Sequence, residues 1–447
     1  MIQIHQTVLD CEKAIIRSDN TIYVILTDLN QRILKMKFSD FGHHFSGYSG
    51  ITHLMDDLSE GLSQPDVVML GGGNPAPIDV VQKLYQATLE KLLESGELMS
   101  TLSNYDGPQG HHAFRAVLAE YFSEKYGWKV SVKNIAITHG SQSTFYILFN
   151  SFAGKSAGSR KQVLIPLVPE YIGYCDVGIE DEMLTSQQAK IKLLDQNLFK
   201  YEVDFEQLEV SSTTGLICVS RPTNPSGNVL TDTECDHLDM IARKNNIPLM
   251  IDSAYGTPFP NIIFGKATPF WNDNTIVCMS LSKLGLPGAR TGIVVANEEL
   301  IKYFSNFTAI SSLAPAGMGP AIAKQLIEDD LLTPLCRDII RPFYQHRAAF
   351  AVALVSKIID DRRLHIHKPE GAFFLWLWFE GLPISTDLLY QRLKLKGLLV
   401  VPGKYFFPGQ KEVSEHGQSC IRINVAQSEE DLTRGVEILA QELAEIW

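Results

Sequence analysis

Thr275-Ile276-Val277-Cys278-Met279-Ser280-Leu281-Ser282-Lys283-Leu284-Gly285-Leu286-Pro287-Gly288-Ala289-Arg290 is the stretch that decides how the chain is read. It opens on an apolar, β-branched run of the kind that makes a buried strand. Lys283 follows at the mouth of that strand, where an ammonium is costly unless it has a partner or a task. The hydroxyls of Ser280 and Ser282 and the guanidinium of Arg290 surround it with groups that suit a phosphate dianion. The same residues also suit a surface loop with a solvated Lys and Arg. The rest of the chain has to choose between the two readings.

Working outward, short apolar runs alternate with amphipathic helical patterns. Strands are expected at 134–138, 163–166, 216–219, 248–251, 275–279 and 292–296, with helices at 141–152 and 231–245 among those between them. Such alternation predicts an α/β fold, a mainly parallel sheet flanked by helices. From 358 onward the pattern changes to hairpin-like strands at 371–378 and 421–425 and helices at 385–396 and 428–447, which fits a smaller α+β domain. The expected division is a large domain over 76–320 and a small one over 321–447. Residues 36–75 form a segment packing with the small domain. Residues 1–35 carry no motif and are read as an extension, or a mis-assigned start, with no role in catalysis.

Bulk properties narrow the function. At 447 residues the chain exceeds the usual size of a single core. An apolar fraction of 45% supplies buried sheets, and 20% charged residues argue against disorder. A net charge of −12 disfavours nucleic acid as a partner and leaves no basic stripe for an anionic membrane. The longest apolar runs fall far short of the ~20 residues a membrane helix needs. Seven scattered cysteines (11, 175, 218, 235, 278, 336 and 420) without C-x-x-C spacing fit reduced thiols in a cytoplasm. His43-His44, His111-His112 and His365-x-His367 lack carboxylates at ligand spacing, so no metal is expected.

The polar residues gather where strands end, which is where open parallel sheets bind ligands. Gly140-Ser141-Gln142 opens a helix and presents backbone N–H groups to an anion, although Ser141 also suits a plain N-cap. Pro169-Glu170-Tyr171 follows the second strand, and Tyr171 offers a flat face for stacking or a half-buried ring. Asn224, held between Pro222 and Pro225, makes an Asx-turn or reaches a ligand oxygen with its amide. Asp252 closes an apolar run and needs a partner, a protonated pyridine nitrogen or the next helix. Tyr255 stands three residues on. A phosphate beside a lysine that can be made nucleophilic is the requirement of pyridoxal phosphate chemistry. Arg422 shares one strand face with Cys420 and Asn424 while Ile421, Ile423 and Val425 face the other way. It reads equally as a surface ion pair or a carboxylate clamp.

Asn224, Asp252, Tyr255, Ser280-x-Ser282-Lys283 and Arg290, in that order and spacing, resemble the fold-type I pyridoxal phosphate-dependent aminotransferases. LGGGNPA (70–76), NYDGPQG (104–110), PEYIGY (169–174), CVSRPTNPSGNV (218–229), SLSKLGLPG (280–288) and HKPEGAFFLWLWF (367–379) resemble a branch of that family. This branch exchanges amino groups between aliphatic amino acids such as valine and 2-oxo acids such as pyruvate. The likeness runs from about Met36 to the C-terminus. It implies that Lys283 binds pyridoxal 5'-phosphate covalently and carries a proton at the substrate Cα. Asp252 would pair with the ring nitrogen, and Asn224 and Tyr255 would bond the phenolic oxygen. Ser141, Gln142, Ser280, Ser282 and Arg290 would hold the phosphate, with Tyr171 stacked on the ring. Arg422, with Asn224 and a backbone N–H of Gly73, would grip the substrate carboxylate. Tyr105 would reach the phosphate of a neighbouring subunit, so a homodimer is expected.

Three rival readings stand beside this one. The same cofactor supports decarboxylation or β-elimination, since fold and lysine do not fix the reaction. Gly71-Gly72-Gly73 hints at a nicotinamide dehydrogenase, but it lacks G-x-G-x-x-G spacing and Pro75 stands where a helix should begin. A non-catalytic regulator would need a DNA-binding module, for which 35 leading residues are too few.

Overall fold

Each core strand is apolar on both sides, and that determines where it lies. Along Thr275–Ser280, Val277 and Met279 enter one hydrophobic cluster while Ile276 and Cys278 enter another. Gly292–Val295 divides in the same way, with Ile293 and Val295 against Val294. A strand with a core on each face needs helices on each face, as in an α/β layer structure. The computed structural model describes residues 38–46, 52, 56 and 66–447, and contacts divide the chain into Met1–Gly47 and Tyr48–Trp447. In the first unit Ser39 caps a short helix, Asp40–His44, by accepting from Gly42 N. The proposed extension over 1–35 lies outside the described residues.

The second unit contains two large sheets. The larger sheet has eight strands. Its path runs Ile135–Thr138, Gly292–Val295, Thr275–Ser280, Leu249–Asp252, Thr214–Ser220 and Ser159–Val168, with Gly154–Ser156 and Leu184–Gln188 both pairing with the last. Pairing is parallel from Thr275–Ser280 through to Leu184–Gln188, while Gly292–Val295 runs antiparallel to both its neighbours. All six strands expected here are present, their ends moved by a few residues. Helix Ser141–Phe152 begins where expected, and the second expected helix is Asp232–Lys244, closed by a Thr231/Glu234 capping box.

The smaller sheet has six strands, ordered Val401–Pro402, Cys420–Asn424, Phe374–Phe379, Leu364–His367, Leu198–Glu202 and Lys190–Leu193. Its last two come from the middle of the chain, within the 76–320 span, so a boundary in sequence does not separate the sheets. Val68–Met69 pairs with Leu398–Leu399, which attaches the segment before residue 75 to the small-domain span. Among the described residues no helix is long and apolar enough to cross a membrane, and no group of His, Cys, Asp or Glu could hold a metal ion.

Candidate active site

The carboxyl ends of the parallel strands open onto a cavity of about 200 Å³. Gly73, Ser141, Gln142, Tyr171, Asn224, Asp252, Tyr255, Ser280, Ser282, Lys283, Arg290 and Arg422 all line it. Every residue singled out in the sequence is therefore brought together except Tyr105, which is 85% exposed and lines no part of its own chain's cavity.

Lys283 stands in the turn Ser282–Leu284 that ends the Thr275–Ser280 strand. The hydroxyl of Tyr85, from helix Asp79–Glu94, pins this turn by donating to the Leu284 carbonyl at 2.6 Å. Lys283 Nζ donates to the Gly73 carbonyl at 2.7 Å and lies over the rings of Tyr255 and Phe373 at 5.3 and 5.6 Å. Burial within this wall lowers its pKa to about 8, with Arg422 and Arg290 adding to the fall and Asp252 opposing it. Arg290 contributes less than Arg422.

Asp252 ends its strand between Ser220 and Cys278 on the flanking strands. Its Oδ1 accepts from Ala254 N at 3.0 Å and its Oδ2 from the Tyr174 hydroxyl at 2.9 Å. Burial outweighs both bonds and pushes the carboxyl up to about 6. No helix follows Asp252, so it caps none; it closes a turn through Ala254 N and presents a buried carboxyl to the cavity.

At another side of the cavity the donors converge. Ser280 Oγ accepts from Ser282 N at 3.1 Å, and Ser141 Oγ lies 3.5 Å from the Met279 carbonyl. Arg290 makes no ion pair among the described residues; its guanidinium bonds there only to the His139 carbonyl, at 3.3 Å. Gly140 precedes the helix at φ 88°, and a Cβ there would meet the Arg290 guanidinium at 2.5 Å, so glycine leaves the space into which that group fits. Gln142 Oε1 is buried without a partner. Three hydroxyls, a helix N-terminus and an uncommitted guanidinium make a fitting cradle for a phosphate.

Arg422 is 1% exposed, on a strand whose alternate residues Ile421 and Ile423 pack into a hydrophobic cluster on its other face. It donates to Asn224 Oδ1 at 2.8 Å and to the Gly71 carbonyl at 2.5 Å. Its guanidinium lies over Phe374 and Phe406, at 4.3 and 5.1 Å from the ring centres. The surface ion pair is thereby excluded. Asn424, on the same strand face, donates to the Gly72 carbonyl at 2.8 Å. The glycine triplet consequently presents three successive carbonyls to Arg422, Asn424 and Lys283, and it does not bind a dinucleotide as a helix-opening loop would.

Sequence reasoning passed over Tyr174, Glu170, Ser220, Phe145 and Phe373. The first two lie within PEYIGY, where only the stacking ring was weighed. A buried acid beside a strand end was the available signal for Glu170.

One pH effect follows from Lys283. The nucleophile is the neutral amine, and at pH 7 a pKa of about 8 leaves roughly one lysine in ten neutral, against roughly one in three thousand for an ordinary side chain. Covalent capture of pyridoxal phosphate by cofactor-free protein should therefore accelerate as pH rises through about 8 and then level off. Stopped-flow absorbance checks this, and a rate still climbing toward pH 10.5, the ordinary lysine value, contradicts it.

Compared with known proteins, the chain matches the aminotransferase class I and II family over residues 65–439. It is 51% identical over 413 residues to the valine–pyruvate aminotransferase of Escherichia coli strain K12, covering 92% of this chain and 99% of that protein. A crystal structure of a putative amino-acid aminotransferase from Psychrobacter arcticum 273-4 superposes with a TM-score of 0.89 at 46% identity, over 92% of this chain and 99% of that one. That of the valine-pyruvate aminotransferase from Salmonella typhimurium LT2 does so with a TM-score of 0.83 at 50% identity, over 89% and 99%. With a family match spanning most of its length and a half-identical relative covered almost end to end, this chain belongs to the class I and II aminotransferases and is a pyridoxal phosphate-dependent enzyme.

Proposed function

We propose that the enzyme transfers the amino group of valine, or a similar aliphatic amino acid, to pyruvate, giving 2-oxoisovalerate and alanine by a ping-pong mechanism. The observation that carries this reading is the convergence of Lys283, Asp252 and Arg422 on one cavity. The activity named for the relatives from Escherichia coli and Salmonella typhimurium supports the choice of substrates.

Pyridoxal phosphate, when bound, supplies an aldehyde that takes up the amino group and a ring that accepts the electrons freed at the substrate Cα. The remaining work belongs to this chain. Ser141, Gln142, Ser280, Ser282 and Arg290 hold the phosphate, and Tyr171 stacks against the ring. Asp252 keeps the ring nitrogen protonated, while Asn224 and Tyr255 bond the phenolic oxygen. Lys283 binds the cofactor covalently at rest. Its amine, once freed by substrate, would move the proton at the substrate Cα. Arg422 grips the α-carboxylate with Asn224 and Gly73, which fixes the Cα against Lys283.

Tyr105 completes the neighbouring subunit's phosphate site in a homodimer. Its exposure, and the exposed Met99 and Leu102 on the preceding helix Glu97–Ser103, support that pairing. Scattered unpaired thiols suit a cytoplasmic setting.

Apolar pockets separate aliphatic side chains by only ~1–3 kcal/mol per methylene, so a panel of donors is the decisive test. With pyruvate as acceptor, valine should yield 2-oxoisovalerate and alanine in equal amounts. Carbon dioxide or ammonia released without alanine would transfer the assignment to a decarboxylase or a β-eliminating enzyme.

A further inference from the structure

Beneath the cavity lies an acid that the transamination steps leave without a task. Glu170 has no exposed surface and does not line the cavity, yet its carboxyl touches two residues that do. Oε1 accepts from Ser220 N at 2.8 Å. Oε2 accepts from the Ser220 hydroxyl at 2.5 Å and from Tyr171 N at 3.1 Å. Its own backbone N–H donates to the Phe406 carbonyl at 2.8 Å, and the Phe406 ring lies against the Arg422 guanidinium. Ser220 is the strand partner of Asp252. One side chain thus joins the ring-stacking tyrosine to the strand end beside the carboxylate that faces the ring nitrogen.

The chemistry of the joint is specific. Two backbone N–H groups approach different arms of one planar fork, so the fork must accept on both arms. A carboxyl does so; an amide of the same shape accepts on one arm only and leaves a buried N–H facing an NH2 group. Among the described residues no cation bonds to Glu170. Burial pushes its carboxyl up to about 8, and the nearby Asp252 adds to the rise. Placing such a group here costs stability, which a filler residue would avoid.

We propose that Glu170 is a positioning residue of the cofactor site, clamping Tyr171 to Ser220 so that the stacking wall and the floor beside Asp252 keep a fixed separation. The proposal rests on the assignment of the cavity to pyridoxal phosphate. A wild-type chain that takes up no cofactor would refute that assignment, whereas variants that bind as the wild type does would refute only the clamp.

The test titrates cofactor-free wild type, E170Q, S220A and the double variant with pyridoxal phosphate. It follows affinity and the circular dichroism induced in the bound cofactor, with thermal unfolding of the cofactor-free proteins alongside. E170Q should weaken cofactor affinity about tenfold and diminish the induced signal. S220A should weaken it about threefold, and the double variant should be no worse than E170Q because both act through one clamp. A merely structural carboxyl would lower the melting temperature while leaving the induced signal unchanged, and that result overturns the proposal. Independent, multiplying effects of the two substitutions overturn it as well. If E170Q does not fold, S220A decides alone, since it keeps both backbone bonds: an altered induced signal supports the clamp, and an unaltered one removes it.

Discussion

Replacing Lys283 by alanine is expected to abolish the visible absorbance of covalently held cofactor and to lower transamination by about 10⁴-fold or more. The size follows from how few groups could substitute. Among the described residues no second lysine lines the cavity, and the nearby tyrosine hydroxyls of Tyr171 and Tyr255 are pushed upward by burial, which makes them poor proton acceptors at neutral pH. The ammonium is placed by the Gly73 carbonyl and two aromatic faces, contacts that alanine cannot make. The phosphate cradle does not include Lys283's amine, so cofactor should still bind, reversibly and without its covalent link. Absorbance spectra and steady-state rates with valine and pyruvate check both parts. Retained turnover would end the assignment of Lys283 and, with it, the reading of the cavity.

The fold was legible wherever burial on both faces left one pattern possible. The run from Thr275 to Met279 is apolar at every position but its first, which suits only a strand between two layers, and its neighbours repeat the rule. Helix ends were legible where side chains cap them, as at Thr231 and Ser428. The strands Lys190–Leu193 and Leu198–Glu202 were not found. The first is exposed along most of its length, so no hydrophobic rule marks it, and the second pairs on its other side with Leu364–His367, more than 150 residues later. Local pattern carries no information about a pairing of that range.

The site was legible for a different reason. Strand order puts the ends of Thr214–Ser220, Leu249–Asp252 and Thr275–Ser280 side by side, so polar residues far apart in sequence meet once the sheet forms. The polar residues that line the cavity, Ser220 apart, were therefore legible by type. Residues that touch the cavity only through another side chain were not: Tyr174 reaches Asp252 across 78 positions, and Glu170 reaches Ser220 across 50. Their partners are fixed only by tertiary packing. Tyr105 is the converse case, recognised by resemblance and left exposed in a single chain.

Arg422→Lys is expected to lower kcat/KM for both amino acid and 2-oxo acid by about 10²- to 10⁴-fold, while leaving cofactor affinity within about threefold of wild type. The contrast with Lys283 is the point of the experiment, because the two cations share one cavity and Arg422 helps to lower the pKa of Lys283. Arg422 is held by bonds to Asn224 Oδ1 and to the Gly71 carbonyl, between the rings of Phe374 and Phe406. An ammonium is a point charge without the planar fork, so it cannot bond both acceptors and offer a paired face to a carboxylate. Each buried acceptor left unpaired costs about 1–3 kcal/mol, and two of them account for the lower part of the expected range. The upper part comes from misplacing the Cα relative to Lys283, since small displacements of a reacting atom cost rate steeply. Burial lowers the Arg422 pKa to about 10, so the native guanidinium stays charged throughout the working range. A lysine in the same place suffers burial from a lower starting value and beside Lys283, so its charge should fall away within the alkaline range. The variant should accordingly lose activity toward high pH more steeply than wild type does. Near wild-type kinetics, or a loss confined to cofactor binding, would take Arg422 out of the carboxylate role.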